Sequence, residues 1–238
     1  ISPKHLFADN LKDELWLVAG GVFGGSLYFF TENTALGITQ ASNVAFIICT
    51  APLLTTILSL LFYKSEKATK GLIYGSLLAL IGVGLVVFNG SVVLKLSPVG
   101  DLLTLLAALS WAFYSLVIKW MTGRYPTVFI TRKIFFYGVL TILPAFLLHP
   151  LQPDFDVLLQ PLVLSNLLFL AVLASLICYI LWNVVLKQLG TMRASNYIYL
   201  NPLVTMVASV LILHEQITWI TLMGAACIIL GVYLAEKK

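Results

Sequence analysis

Apolar residues in this chain run together for about 20 residues at a stretch and are then broken by short polar clusters, instead of alternating every second position. Coiled at about 1.5 Å per residue, such a run crosses about 30 Å of hydrocarbon. Eight runs can be marked off by their polar flanks. They predict α1 from Glu14 to Ala35, α2 from Thr39 to Tyr63, α3 from Lys70 to Phe88 and α4 from Pro98 to Met121. The other four are α5 from Thr127 to Leu148, α6 from Leu162 to Leu186, α7 from Ala194 to Leu213 and α8 from Ile217 to Ala235. Helices are preferred to barrel strands because lipid-facing strands would show an apolar–polar period of two. The connections are too short to fold a water-soluble domain of their own.

Charge adds direction. Loops at alternate ends of the predicted helices lie on opposite sides, and one side collects 13 of the 14 lysines and arginines while the other holds only Lys95. Excess positive charge marks the cytoplasmic side, so eight crossings with both termini cytoplasmic are expected. Composition agrees: 60% of residues are hydrophobic and 10% charged, with a mean hydropathy of +1.00. A soluble globule is excluded. The net charge of +4 is spread over five membrane-edge segments, which makes it a topology signal and not a nucleic-acid footprint. Cys49, Cys178 and Cys227 all sit in apolar runs and read as small core residues, not as a disulfide framework.

The chain repeats itself. At a displacement of 150, Asn33, Ile48, Pro52, Leu53, Thr55 and Ser59 meet Asn183, Ile198, Pro202, Leu203, Thr205 and Ser209. At 149, Glu66, Thr69, Gly75, Gly82 and Val83 meet Glu215, Thr218, Gly224, Gly231 and Val232. Helices α1 to α3 thus correspond to α6 to α8, five crossings later, and an odd displacement inverts the second copy in the membrane. The second copy, residues 93–238, holds five helices; the first, residues 1–92, shows only its last three. The counterpart of Pro98 would fall roughly fifty residues before Ile1, which is room for two crossings. The expected architecture is an all-α polytopic bundle of two inverted-topology repeats, with eight helices of ten present.

Pro52, Glu66 to Thr69 and Gly82 to Leu85, echoed by Pro202, Glu215 to Thr218 and Gly231 to Leu234, resemble the drug/metabolite transporter superfamily, in particular the group with two EamA-type domains. The resemblance implies a carrier that moves small metabolites or drugs, amino acids among the candidates, often outward, through a central cavity, with the last helix of each half peripheral. His214 stands where a glycine commonly precedes the glutamate. Short loops and the charge split fit a bacterial inner membrane.

Candidate contacts follow from polar and aromatic groups at membrane depth. Glu32, about seven residues beyond the centre of α1, is the leading one, because a carboxylate inside a bilayer is costly to keep without a use. Tyr28 lies one helical turn before it. Trp111 and Tyr114 share a face of α4, and Tyr197 and Asn201 share a face of α7. These six are the expected substrate-binding side chains. Pro52 and Pro202 break their helices near the midplane, and Trp182 and Asn183 are the inverted partners of Glu32 and Asn33. These five are the expected gate or hinge positions. Arg132 and Lys133 read as snorkelling anchors at the cytoplasmic edge, and Trp16, Trp120 and Trp219 as interfacial anchors. The spacing of Gly20, Gly21, Gly24 and Gly25 favours packing inside the protomer over dimerisation, although it leaves a homodimer open. Glu66 and Glu215 read as helix-start braces. Neither a His-Glu-x-x-His nor a Gly-x-Ser-x-Gly run occurs, so the reading is a carrier and not an enzyme, with no cofactor and no metal. Its partners are a small solute, the bilayer and, through Glu32, a coupling proton. The competing reading is a membrane module that acts through partner helices without transport.

Overall fold

A computed structural model describes residues 6–63, 67–88, 97–148, 154–208, 210–211 and 218–237. The described elements are helical throughout and follow the eight predicted runs. Among the described residues, five helices are long and apolar enough to cross a membrane: Ala41–Phe62 (α2), Lys70–Phe88 (α3), Pro98–Thr122 (α4), Pro161–Leu189 (α6) and Trp219–Glu236 (α8). The other three are interrupted or more polar. Helix α1 covers 11–38 with a wider π turn at Val22–Ser26, α5 covers Thr127–Ile142 before a turn and the short helix Ala145–Leu148, and α7 is broken around Pro202.

Caps fix several starts. The side chain of Asn10 accepts from the Asp13 backbone N–H at 2.8 Å, which satisfies one of the donors that a helix start leaves open. Thr69 Oγ1 accepts from Leu72 N at 3.1 Å, and Thr218 Oγ1 from Thr221 N at 3.2 Å. These threonines are equivalent under the repeat and do the same work at α3 and α8. Their motif partners Glu66 and Glu215 lie outside the described residues, as do Lys95 and His214.

The inversion is visible where α3 meets α8. A methyl group added to Gly75 would lie 2.6 Å from the Ala235 backbone nitrogen, and one on Gly82 would lie 2.6 Å from the Gly224 carbonyl oxygen. One on Gly231 would meet Ala79 N and Gly75 O, both at 2.5 Å. As the residue number rises along α3, the neighbour's number falls along α8, so the two helices are antiparallel. Since the repeat maps Gly75 onto Gly224 and Gly82 onto Gly231, two equivalent helices running oppositely are an inverted pair. Only glycine permits backbones this close.

Helix α4 is the hub. Over half of its apolar window, 56%, is buried, against 33% for α3 and for α8 and 11% for α6. It packs against α1, α2 and the last part of α6, Cys178–Leu189. The largest apolar cluster joins Leu17, Tyr114, Ile118, Met121, Ile130, Ile134 and Leu186. Gly21 touches Tyr137 and Gly138, and Gly24 lies against the Tyr114 ring, so the α1 glycines serve contacts within the chain. Most of α6 before Tyr179 is exposed, including Cys178, which corrects its reading as a core residue.

The basic edge brings a second correction. Lys133 does not snorkel to solvent; it is 4% exposed and pairs with Glu14, which also accepts from the Tyr137 hydroxyl. Beside this pair, Asp13 accepts from Arg124 Nη1 at 2.8 Å and from the Tyr125 hydroxyl at 3.0 Å. Burial pushes the Asp13 carboxyl up, and the hydrogen bonds from Tyr125, Arg124 and Asn10 outweigh it, so its pKa lies below the ordinary carboxylate value. Two carboxylates at the start of α1 therefore clasp the α4–α5 connection and the first turns of α5. The sequence signal was available: Asp13 and Glu14 are adjacent acids on the edge that carries the cations.

Candidate functional site

Both central prolines begin new helical segments. Helix α2 stops at Ile48, turns through Cys49 and Thr50 and restarts at Ala51, with Pro52 in its first turn, where a missing N–H costs nothing. The Thr50 hydroxyl donates to Ile47 O at 2.7 Å and so satisfies a carbonyl at the break. In α7 the chain tightens into a 3-10 turn over Tyr197–Leu200 before Asn201–Ala208. The two breaks face each other. Ala51 and Ile198 share a buried cluster with Ala108, and Ser59 and Thr191 meet at 2.9 Å between their hydroxyl oxygens. These pairs run antiparallel, as those between α3 and α8 do.

At this crossing lies a cavity of about 260 Å³, lined by Tyr28, Ile48, Ala51, Ala108, Trp111, Trp182, Tyr197, Ile198 and Asn201. Its wall comes from five helices. Four of the lining residues are aromatic, and Trp111 lies 5.1 Å from Tyr28 and 5.8 Å from Trp182 between ring centroids. The indole N–H groups of Trp111 and Trp182 are buried and have no hydrogen-bond partner among the described residues. A buried donor left unpaired costs about 1–3 kcal/mol, so both are primed for an acceptor brought by water or solute. No lining residue carries a positive charge.

Four of the six expected binding residues, Tyr28, Trp111, Tyr197 and Asn201, line this cavity. Glu32 does not. It stands one turn along α1, half-buried, and accepts a 3.0 Å hydrogen bond from the Tyr28 hydroxyl, so it reaches the cavity through that phenol. Tyr114 lies behind the wall, fully buried, and donates to Asn183 Oδ1 at 2.7 Å.

Of the expected gate positions, Trp182 is part of the wall. Pro52 and Pro202 are buried at the two helix breaks. Asn183 is fully buried, and its amide donates to Thr131 Oγ1 at 2.9 Å, which ties α6 to both α4 and α5. Asn33 is exposed and donates to Phe29 O within its own helix. Residue typing alone missed Ala51 and Ala108, whose smallness makes the space, and Tyr179, whose hydroxyl donates to Gly24 O at 2.5 Å and whose ring abuts Trp111. Its position three residues before Trp182 was the available signal.

Comparison with known proteins adds a family. The sequence model of the EamA-like transporter family matches residues 2–88 and 98–236. An Archaeoglobus fulgidus transporter is 28% identical over 217 residues, which cover 90% of this chain and 73% of that protein. A Salmonella typhimurium protein named "Probable amino-acid metabolite efflux pump" is 27% identical over 98% of this chain and 80% of its own length. A crystal structure at 19% identity superposes with a TM-score of 0.76, covering 93% of this chain and 75% of that one.

Proposed function

Because this chain belongs to the EamA-like transporter family, which makes it an integral membrane transporter, we propose that it exports a small amphipathic metabolite bearing an amine, through the cavity between the α2 and α7 breaks. The observation that carries this is the wall itself: four aromatic rings, the Asn201 amide and two unpaired indole donors, with no basic side chain among them. Rings and indoles suit an apolar body, and an ammonium group is attracted to aromatic faces. Amino-acid metabolites have this chemistry, and the name of the Salmonella typhimurium relative points the same way.

The repeats 1–92 and 93–238 are the two bodies that move against each other, with both termini in the cytoplasm and the basic edge facing inward. Alternating access then needs a seal on each side of the cavity. The Ser59–Thr191 contact is the inner one. Coupling runs through Glu32. Ionised, it accepts the Tyr28 O–H in a charge-assisted bond; protonated, it accepts more weakly and gains an O–H donor of its own, which loosens its hold on that phenol, so proton binding and the shape of the site are linked.

The test is transport by the protein reconstituted in vesicles, screened with amino acids, nucleosides and cationic drugs. An amine-bearing solute should move down an imposed pH gradient, and Glu32→Gln should abolish the gradient dependence while leaving counterflow of that solute. A Glu32→Gln variant whose uptake keeps the pH and gradient dependence of the unaltered protein rejects Glu32 as the coupling group. Failure of every amine in the screen, with another solute carried, rejects the substrate class.

A further inference from the structure

A second cavity, of about 320 Å³, lies away from the first, on the outer surface of the bundle between α1, α2 and α4. Its lining is entirely apolar or aromatic, with Trp16, Phe23, Tyr63, Phe113 and Trp120 forming most of the wall. Helices α1 and α4 are antiparallel here, and their rings pair in two tiers. Trp16 lies 6.5 Å from Trp120, and Phe23 stacks on Phe113 at 5.3 Å. Seven residues separate the tiers on each helix, so the groove runs about 10 Å along the membrane normal. It starts at the basic edge and points toward the bilayer centre.

The mouth carries positive charge on the faces of those same rings. Lys119 Nζ sits 4.3 Å from the centroid of Tyr63, and Arg124 Cζ sits 4.7 Å from that of Trp120. Tyr63 is pinned by its hydroxyl, which donates to Leu116 O at 3.0 Å. Asp13 takes one guanidinium nitrogen of Arg124, and the Arg124 side chain stays 46% exposed. The groove therefore offers an acyl-chain slot below and two cations above, Lys119 in the last turn of α4 and Arg124 in the α4–α5 connection.

We propose that this groove is a binding site for an anionic phospholipid, with one acyl chain between the Trp16–Trp120 and Phe23–Phe113 tiers and the phosphate at Lys119 and Arg124. Charge complementarity selects that occupant. A water-soluble solute would leave its polar groups against an all-apolar wall, and a zwitterionic lipid would bring a choline or ethanolamine cation to two cations already there. Each basic side chain beside an anionic lipid surface contributes about fivefold in affinity, so a single charge change is measurable. The site is independent of the transported solute and does not rest on the reading of the central cavity.

The test uses tryptophan quenching in vesicles in which 20% of the lipid, by design, is brominated phosphatidylglycerol or brominated phosphatidylcholine. Trp16 and Trp120 flank the groove, while Trp219, 82% exposed at the other end of the bundle, reports the opposite leaflet. Brominated phosphatidylglycerol should quench more strongly than brominated phosphatidylcholine. The difference should fall about fivefold in Lys119→Gln and vanish in the Trp16→Phe, Trp120→Phe double variant, which leaves the cations in place. Lys119→Gln is conservative enough to keep the fold, and the far-UV circular dichroism of each variant checks it; native mass spectrometry of the unaltered protein supplies a readout that needs no variant, retained phosphatidylglycerol over phosphatidylcholine. Equal quenching by the two lipids, a preference that Lys119→Gln leaves intact, or release of brominated lipid only by an uncharged lipophilic dye would each overturn the proposal.

Discussion

Two asparagines related by the repeat show how far a residue's chemistry depends on its neighbours. Asn33 bonds to its own helix and faces out, whereas Asn183 is sealed between the Tyr114 and Thr131 hydroxyls. Removing the Asn183 amide strands the buried Tyr114 hydroxyl at a cost of about 1–3 kcal/mol and takes one hydrogen bond from Thr131, whose hydroxyl still donates to Thr127 O at 2.9 Å. We therefore expect Asn183→Leu to lower the thermal unfolding midpoint in detergent by several degrees. Asn183→Leu combined with Tyr114→Phe should recover part of that loss, since the second change removes the stranded hydroxyl. A double variant no more stable than the single one would mean that the Tyr114 bond carries no weight. At this scale the sequence was legible in part. It marked Trp111, Tyr197 and Asn201 through helical spacing, and those residues line the cavity. It could not separate Tyr114 from Trp111, because three residues along a helix turn a side chain by about 60° short of a full circle, and only packing decides which of the two meets the space. Nor could it flag Ala51 and Ala108, which matter by being small.

Among the elements, the closest approach is that of α3 and α8, and its geometry gives a sharp contrast between glycines. A Cβ on Gly231 would meet backbone atoms of Ala79 and Gly75 at 2.5 Å, and backbone has no rotamer with which to yield. Gly37, in the last turn of α1, has nothing within 4 Å of the same added atom. Gly231→Ala should separate the two helices and destabilise the protein by about 1–3 kcal/mol, as overpacking does. Gly37→Ala should be neutral or stabilising by up to about 1 kcal/mol through helix propensity. Thermal melts of both variants under identical detergent decide this, and equal effects would contradict the interface. The paired glycines of the repeat announced this contact in the sequence, because a residue retained in both copies only for being small needs a close neighbour. The helix breaks announced themselves less clearly. Pro52 and Pro202 located them to within a turn, but the turn at Cys49–Thr50 and the 3-10 segment Tyr197–Leu200 depend on what the opposing helix leaves room for. The clasp of Asp13 and Glu14 against Arg124 and Lys133 joins positions more than 100 residues apart, a distance that local pattern does not span.

For the whole molecule, the question is which contacts must part if the two repeats rock about the central cavity. The α3–α8 pair cannot be one of them without separating interlocked backbone, so it is the natural pivot. The α2–α7 seam can. It is built from small hydroxyl side chains, and beyond the Ser59–Thr191 bond the buried Thr55 and Ser195 hydroxyls have no hydrogen-bond partner among the described residues. A seam of unpaired hydroxyls is favourable to wet and weak to hold shut, since opening it gives each group a water partner. Ser59 and Thr191, at 2.9 Å between oxygens, are placed for a direct lock. Ser59→Cys with Thr191→Cys should cross-link under mild oxidation, and transport in vesicles should then fall at least tenfold and return on addition of dithiothreitol. Each single cysteine variant should keep transport under the same oxidant, which removes side reactions of Cys49, Cys178 and Cys227 as the cause. A fully cross-linked protein that still carries solute at its original rate would place the moving contact elsewhere, because a covalent bond across this seam leaves this end of the cavity no way to open.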